Sequence, residues 1–378
     1  MPLPTEAPLP PLRCRAEIDL AALRANATYC QEIAGSSCEL MAIVKADAYG
    51  HGLEAVVTAL RGKTDWFGVA TFHEALRTRA ACGDRNTHVL ILSPATPEEI
   101  ESIVANEFSG SVSLPSEVTA YGSAAARIGK TAKLHAVVDT GMGRMGCPSG
   151  EFASLVRTIR ENPHCRLEGI DSHFPSADED AEFTLGQIKD FRELLDTIDV
   201  GDAHIHLCNS AGLIGFGANT RFASLARPGL ALYGISPLPE AATELRPVMS
   251  LKTKVILVRR ISPGTGISYG RTFIAERRMT VATLGVGYGD GYPRLLSGSG
   301  AEVLIAGQRC PLLGRVTMDQ IVVDVSAVAR DVVAGEDAVL IGRQGELEIT
   351  AGELAQKAGT IPWEILTGIT HRVERVYR

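Results

Sequence analysis

Short, continuous apolar runs alternate with amphipathic stretches over the first two thirds of the chain. Eight of these runs have the length of strands: LMAIV (40–44), WFGVA (66–70), HVLIL (88–92), SVSL (111–114), LHAVV (134–138), LEGID (167–171), HIHLC (204–208) and LALYG (230–234). Residues 97–108 and 151–162 have the spacing of amphipathic helices. Apolar strands that alternate with helices indicate a parallel sheet covered on both faces. Eight of them predict an α/β fold with a (β/α)8 TIM-like barrel, although an open doubly wound sheet fits the same pattern.

The pattern changes after PVMS (247–250). Strand-like runs then follow one another closely, and only TAGELAQKAG (350–359) has the spacing of a clear helix. We therefore predict three segments: a flexible Pro-rich N-terminal tail over residues 1–14, an α/β barrel over 15–245 and a mainly β domain over 246–378.

Composition narrows the classes of partner. The 378-residue chain has a formal net charge of −7 and no basic cluster, which argues against nucleic acid and against a membrane surface. No apolar run approaches the ~18 residues of a spanning helix, and the N-terminus lacks the features of a signal peptide. The eight cysteines show neither CxxC pairs nor metal-ligand spacing. The sequence thus predicts a cytoplasmic protein with reduced thiols and without a metal site.

Polar residues follow the predicted strands at their carboxyl ends, where barrel enzymes carry their active sites. They are Lys45, Arg144, His173, Asn209, Ser210 and Arg227. Lys45 lies where the apolar run of AIVKADAYGHG (42–52) stops. Two interpretations fit this lysine: its amine reaches solvent beyond the strand end, or it lies in a site that needs a reactive amine.

Two short motifs point to other enzymes. GMGRMG (141–146) matches the GxGxxG pattern of dinucleotide-binding loops, but Pro148 and Gly150 delay the helix that should follow at once. GISYG (266–270) matches the GxSxG nucleophile elbow, but a turn precedes it and a polar segment follows it. A nicotinamide dehydrogenase and a serine hydrolase are therefore weak hypotheses.

Six further motifs follow Lys45 in a fixed order: DTGMGRMG (139–146), NSAGL (209–213), RPGLALYG (227–234), ISYG (267–270), GYGDGYPR (287–294) and MDQIVVDV (318–325). With this set, the chain resembles the alanine racemases, which depend on pyridoxal 5′-phosphate (PLP), from about residue 15 to its C-terminus. The resemblance implies a PLP-binding barrel, a C-terminal β domain and a homodimer with shared active sites. It also implies an isomerase of the EC 5.1.1.1 type that interconverts L-alanine and D-alanine, a peptidoglycan precursor.

The resemblance assigns several of these residues to the cofactor. Lys45 would carry PLP as a Schiff base, which requires an amine that is partly neutral near pH 7. Tyr49, Ser210 and the backbone of Gly229 and Leu230 would hold the phosphate. Gly229 suits this role because a residue without Cβ lets the backbone approach the phosphate closely.

By the same resemblance, Arg227 would face the pyridine nitrogen of PLP. A guanidinium does not give up its proton, so the ring nitrogen would stay unprotonated. Racemisation needs a base on each face of the substrate's Cα, and these would be Lys45 and Tyr269 of the partner subunit. Contacts from Tyr269 to His173, from His173 to Arg227, and from Arg227 to His206 would favour the phenolate.

The substrate would be held by other residues of the set. Arg144 would bind the substrate carboxylate with its planar fork, together with the backbone N–H of Met318 from the partner. Tyr288 would line a narrow entrance, and Asn209 and Asp319 would support the site.

Two positions depart from the family pattern. Val137 stands where the family commonly has a carbamylated lysine that orients Arg144, and Trp363 stands where a tyrosine usually bonds the phosphate. These departures keep open a broader amino-acid racemase, for serine or other residues. A non-catalytic PLP-binding protein is a hypothesis of another class, but such proteins lack a β domain that carries Tyr269.

Overall fold

A computed structural model describes residues 12–238 and 243–378. Most of the predicted N-terminal tail, residues 1–11, lies outside the described residues. The chain forms two compact units, Leu20–Pro247 and residues 12–19 with Val248–Arg378. All eight cysteines are free thiols in this structure, and seven of them are buried. Across the two described ranges, no helix has both the length and the apolar character needed to cross a bilayer.

The unit Leu20–Pro247 is a nearly closed barrel of eight parallel strands, as predicted. In the described part of the chain these strands are Glu39–Ile43, Trp66–Val69, His88–Ile91, Ser109–Val112, Ala132–Asp139, Cys165–Asp171, His204–His206 and Leu225–Ala226. The first seven pair in chain order, and the eighth pairs with the first. Backbone hydrogen bonds of 2.9 Å from Ser224 to Ile205 and from Arg227 to Cys208 bridge the seventh and eighth strands.

The predicted eighth strand was wrong. LALYG (230–234) contains the 3-10 helix Leu230–Tyr233, and the eighth strand lies earlier, at Leu225–Ala226. The strand ends just before Pro228, which has no N–H to donate to a ladder. Residues 231–233 are buried, and a short buried apolar run does not distinguish a strand from a helix.

Helices alternate with the barrel strands. Those of the described residues are Leu20–Ala34, Leu53–Leu60, Phe72–Cys82, Pro97–Ala105, Pro115–Ile128, Ser149–Glu161, Ala181–Leu195 and Ser210–Phe216, with a short turn at Lys45–Tyr49. The two predicted helices are confirmed at Pro97–Ala105 and Ser149–Glu161. The first begins at a proline in the N1 position, and Glu99 accepts a 3.0 Å hydrogen bond from the Thr96 N–H.

The barrel core has an apolar and a polar part. Met41, Ile43, Trp66, Leu90 and Leu225 form an apolar cluster. Trp66 also stacks on His88 at 4.3 Å between ring centroids and meets His135 and His204 edge-on at 5.6 and 5.0 Å. The interior therefore contains histidines as well as aliphatic side chains.

The other unit is mainly β, as predicted. Its principal strands are Cys14–Ile18, Met249–Ile261, Met279–Leu284, Glu302–Ile305, Gln308–Leu313, Ile321–Asp324, Asp337–Gln344, Leu347–Ile349 and Glu374–Tyr377, and a separate two-stranded sheet pairs Gly266–Ile267 with Phe273–Ile274. The predicted helix is confirmed at Ala351–Ala358, and a second one follows at Pro362–Thr367.

The predicted start of the barrel at residue 15 needs correction. Strand Cys14–Ile18 belongs to the β unit, where it pairs antiparallel with Met249–Ile261 and parallel with Glu374–Tyr377. The barrel unit begins only at Leu20. Pairing between segments so distant in sequence satisfies the backbone of this strand, and no local pattern reveals it.

Candidate active site

Lys45 lies directly after the first barrel strand, Glu39–Ile43, and its side chain is half-buried. Burial lowers the pKa of the Lys45 ammonium, and the positive charges of Arg144 and Arg227 lower it further. The amine therefore loses its proton more readily than an ordinary lysine does. This is the property that a nucleophilic or basic lysine requires.

The backbone after Lys45 forms a left-handed turn. Residues 46–49 have φ angles between 52° and 55°, although none is glycine. Such a conformation costs roughly 1–2 kcal/mol per residue, so its surroundings must hold it in place. The Ala46 N–H donates to Glu74 Oε1 at 2.7 Å, and Asp47 Oδ1 accepts from the Leu53 N–H at 3.1 Å. Arg77 also donates to Asp47 Oδ1 at 2.7 Å.

The turn brings Tyr49 against the backbone of Gly229. A Cβ at Gly229 would lie 2.7 Å from Tyr49 Oη, closer than any side chain tolerates. Ser210 Oγ accepts hydrogen bonds from the N–H groups of Gly229 and Ala231 at 3.0 and 3.1 Å. Three predicted residues, Tyr49, Ser210 and Gly229, therefore come together, and the fourth, Leu230, begins the adjacent 3-10 helix.

Asn209 supports the backbone next to Ser210. Its Oδ1 accepts from the Gly212 N–H at 2.9 Å, which caps the helix Ser210–Phe216. Its Nδ2 donates to the Phe174 carbonyl at 3.2 Å. Asn209 thus fixes the backbone that carries Ser210.

Arg227 is buried between two histidines. Its Nη1 donates to His206 Nδ1 at 2.5 Å, and its Nη2 donates to His173 Nδ1 at 3.1 Å and to the Ser172 carbonyl at 2.6 Å. Burial and the charge of Arg227 lower the pKa of His173 to about 3 and that of His206 well below its usual value. Both rings are therefore neutral acceptors. Asp171 Oδ2, 3.7 Å from Nη1, is the carboxylate nearest to the guanidinium among the described ion pairs.

The glycine-rich motif is organised by Asp139. Its Oδ1 accepts hydrogen bonds from the N–H groups of residues 141, 142 and 143 at 2.9, 2.8 and 3.1 Å. The helix begins only at Ser149. A dinucleotide loop would instead lead directly into its helix, so this motif does not support a dehydrogenase.

Arg144 lies exposed in this loop, and Val137 is buried two residues before Asp139. Within the described residues, the Arg144 side chain has no hydrogen bond or ion pair of its own. An apolar buried Val137 offers it no partner. Arg144 is therefore free to bind an anionic ligand.

The β unit carries the other predicted residues. Tyr269 is 72% exposed on a short turn, where Ser268 Oγ donates to the Arg315 carbonyl at 2.7 Å. A two-residue strand precedes Ser268 and only a three-residue 3-10 helix follows it, so GISYG does not form a nucleophile elbow. Trp363 lies in the helix Pro362–Thr367 and is half-buried.

Tyr288, Met318 and Asp319 lie together in this unit. The Tyr288 N–H donates to the Thr317 carbonyl at 3.0 Å, next to the half-exposed Met318. Arg372 donates to Asp319 Oδ1 at 2.8 Å and also to the buried Asp290. These contacts hold the two loops against each other.

Several residues of the barrel site were not predicted from the sequence. They are Asp47, Glu74, His135, Glu168 and Asp171. Glu168 and Asp171 carried a signal, because they are charged residues in the buried strand Cys165–Asp171. Burial raises the pKa of Asp171 to about 6, although Arg227 opposes this shift. Asp47 and Glu74 act through backbone bonds that local sequence does not reveal.

The barrel and its polar residues define an enzyme that holds its chemistry at the carboxyl ends of parallel strands. Residues 18–237 match the family described as "Alanine racemase, N-terminal domain", and residues 248–377 match "Alanine racemase, C-terminal domain". The chain therefore belongs to the alanine racemase family, whose members are isomerases of the EC 5.1.1.1 type.

Individual relatives agree over nearly the full chain. The alanine racemase of Halothermothrix orenii is 38% identical over 371 residues, which cover 96% of each chain. The solved alanine racemase of Clostridium difficile 630 superposes with a TM-score of 0.91 at 31% identity and covers 98% of this chain and 97% of its own. The alanine racemase of Bartonella henselae, solved with covalently bound pyridoxal phosphate, gives 0.89 at 27% identity and covers 97% of this chain and 100% of its own.

Proposed function

We propose that this protein is a homodimeric, PLP-dependent racemase that interconverts L-alanine and D-alanine, with Lys45 and Tyr269 of the partner subunit as its two bases. The proposal rests on Lys45, which is half-buried and follows the first barrel strand. The pKa of its ammonium is lowered by burial and by the charges of Arg144 and the buried Arg227. Family membership over both domains supports it.

The corner formed by Tyr49, Ser210 and Gly229 fits a phosphate group. Ser210 Oγ already accepts two backbone hydrogen bonds, so its single hydroxyl hydrogen is left to donate to a ligand. Burial raises the pKa of Tyr49 to about 12, so its hydroxyl stays a neutral donor. Gly229 leaves no side chain in the way. These residues, with Leu230, would hold the PLP phosphate.

When bound, PLP would withdraw electrons from the substrate's Cα and make the Cα proton acidic. Lys45 would accept or return that proton at its Nζ, because its lowered pKa keeps the neutral amine within reach. Arg227 would offer hydrogen-bond donors without giving up a proton. Its two histidine acceptors are neutral and keep the guanidinium in place.

The second base belongs to the other unit of the chain. Tyr269 is exposed, and the turn that carries it is fixed by Ser268 and Arg315. An exposed tyrosine on a fixed turn suits a role toward a second subunit. Met318 and Tyr288, also partly exposed, would join it at the shared site, and Arg144 would bind the substrate carboxylate.

A panel of L-amino acids tests the proposal directly. The purified protein is incubated with each amino acid, with and without PLP, and the products are separated by chiral chromatography. We expect PLP-dependent conversion of L-alanine to an equal mixture of enantiomers. A protein that binds PLP but racemises no amino acid would instead be a non-catalytic PLP-binding protein.

The same panel addresses a broader amino-acid racemase. Buried Val137 favours this second candidate, because it stands where the family commonly has the residue that orients Arg144. Conversion of serine or larger amino acids at rates near that of alanine would establish it.

A further inference from the structure

A chain of buried polar side chains continues behind Arg227, away from the residues assigned to the cofactor. His206 Nε2 lies 2.8 Å from His135 Nδ1 in a hydrogen bond, and His135 Nε2 faces Glu168 Oε2 at 3.4 Å. His135 Nε2 makes no hydrogen bond within the described residues. Both histidines are fully buried and Glu168 is 5% exposed.

Glu168 is the last of these buried side chains, and it is an anion. Ser109 Oγ donates to Glu168 Oε2, while His88 Nδ1 and Lys133 Nζ lie 3.7 and 3.9 Å from its other oxygen. Burial alone would raise the pKa of Glu168, but its contacts with His135, His88 and Ser109 bring that pKa well below its usual value. The chain thus runs from a buried guanidinium to a buried carboxylate.

The two ends dictate which nitrogen of each histidine carries the hydrogen. Arg227 only donates, so His206 Nδ1 must accept, and neutral His206 carries its hydrogen on Nε2. His206 then donates to His135 Nδ1, and His135 carries its hydrogen on Nε2, toward Glu168. A carboxylate only accepts, so it favours the same tautomer. The opposite direction would set an N–H against the guanidinium and a lone pair against the carboxylate.

Two other functions of this cluster are excluded by the same geometry. The ligand atoms of His135, Asp171 and His206 lie within 4.8 Å of one another, as in a metal site. However, the guanidinium already occupies His206 Nδ1 and lies 3.7 Å from Asp171, so it is the cation that this cluster holds. A proton relay is also excluded, because Arg227 does not release a proton at working pH.

We propose that His135 and Glu168 are positioning residues for Arg227: through His206 they fix the tautomer that accepts the guanidinium hydrogen bond. The proposal rests on the proposed function only in that Arg227 faces the cofactor. Without the Glu168 carboxylate facing His135 Nε2, His135 and His206 would adopt both tautomers. In the Nδ1–H tautomer, the N–H of His206 would face the Arg227 guanidinium, which also only donates, and would displace it.

The tautomers are measured directly by long-range 1H–15N correlation NMR of the full-length, cofactor-free protein with 15N-labelled histidine. Signals are assigned by single histidine substitutions. We expect His135 and His206 to be Nε2–H tautomers, with Nδ1 of each ring as an acceptor. An Nδ1–H tautomer or a cationic ring at either position in the wild-type protein would overturn the proposal.

Glu168→Gln tests the role of the carboxylate, because an amide both donates and accepts. We expect mixed tautomers at both histidines, a kcat lowered about ten- to hundredfold with a smaller change in KM, and more transamination per racemisation. His204→Gln is the matched control. His204 packs on Trp66 as His135 does, but it is not one of the side chains that link Arg227 to Glu168. It should leave the tautomers of His135 and His206, and the rates of racemisation and transamination, unchanged.

Unchanged tautomers and an unchanged kcat in folded Glu168→Gln would refute the positioning role. If that variant does not fold, the wild-type tautomers still decide the question. Failure of the proposed function would appear differently, as a wild-type protein without racemase activity, and the NMR measurement requires neither PLP nor activity.

Discussion

Gly229→Ala tests how closely the backbone must approach the proposed phosphate site. Gly229 has a φ of −119°, outside the left-handed region that favours glycine, so the variant tests the space around an added side chain. The added Cβ would lie 2.7 Å from Tyr49 Oη and 3.2 Å from its Cζ. Tyr49 has little room to yield, because its ring stacks on buried Tyr233 with centroids 4.9 Å apart.

The expected magnitude follows from the clash. Overpacking a buried contact by one methyl group costs about 1–3 kcal/mol, which is about 5- to 150-fold in an equilibrium constant. Because Tyr49 must move away from the phosphate corner, we expect most of this cost in PLP affinity. The assay is an absorbance titration of cofactor-free protein with PLP, and urea unfolding measures any loss of stability.

Two companion variants separate the clash from other effects. Tyr49→Phe removes the atom at 2.7 Å and leaves Cζ at 3.2 Å, so Gly229→Ala should cost less in that background. Gly186→Ala is the matched control, since no atom lies within 4 Å of the added Cβ. The reasoning is refuted if Gly229→Ala changes neither PLP affinity nor stability, or if its cost is the same without the Tyr49 hydroxyl.

Four other outcomes are expected. Borohydride reduction of the PLP-loaded protein should place the label on Lys45, and peptide mapping to another lysine would remove Lys45 from that role. Arg227→Glu offers a proton where the guanidinium donates only hydrogen bonds, so product analysis should show more transamination per racemisation, and an unchanged ratio contradicts the role. Tyr269→Phe should slow both directions about 10²–10⁴-fold, yet still exchange the α-hydrogen of D-alanine in deuterated water; equal exchange from both enantiomers would refute the two-base assignment. Lys45→Met should stabilise the cofactor-free protein to urea at pH 7, because the folded state holds an amine of lowered pKa. The destabilisation is full below the lowered folded-state pKa of Lys45, shrinks as the pH rises from there to the unfolded-state pKa of ~10.4, and is absent above it. A stability difference that does not shrink toward alkaline pH would contradict the cause.

Most of the barrel was predictable because its strands are buried on both faces. Such strands appear as continuous apolar runs, and seven of the eight runs coincide with observed strands. Lys45, Arg144 and His173 could be proposed as site residues because they follow these runs, where barrel enzymes carry their active sites. The eighth run failed because residues 230–234 are buried in a 3-10 helix, and burial alone does not fix the secondary structure.

Long-range pairing was not predictable. Strand Cys14–Ile18 joins the β unit through partners in Met249–Ile261 and Glu374–Tyr377, which only the folded chain brings near. The same limit applies to the buried chain behind Arg227. His135 and Glu168 lie on neighbouring strands, but their side chains meet only because the paired strands of the barrel share an interior.

The left-handed turn after Lys45 shows a different limit, in which local preference is overruled. Alanine is the best right-handed helix former, and residues 46–49 contain two alanines, yet all four residues are left-handed. At roughly 1–2 kcal/mol each, the conformation persists only through bonds from outside the turn, to Glu74, Leu53 and Arg77. Three residues separate Lys45 from Tyr49, so the hand of the turn decides where the Tyr49 hydroxyl lies relative to the amine. The chain accepts a less stable backbone at the one place where the proposed Schiff-base lysine and the proposed phosphate ligand must serve the same cofactor.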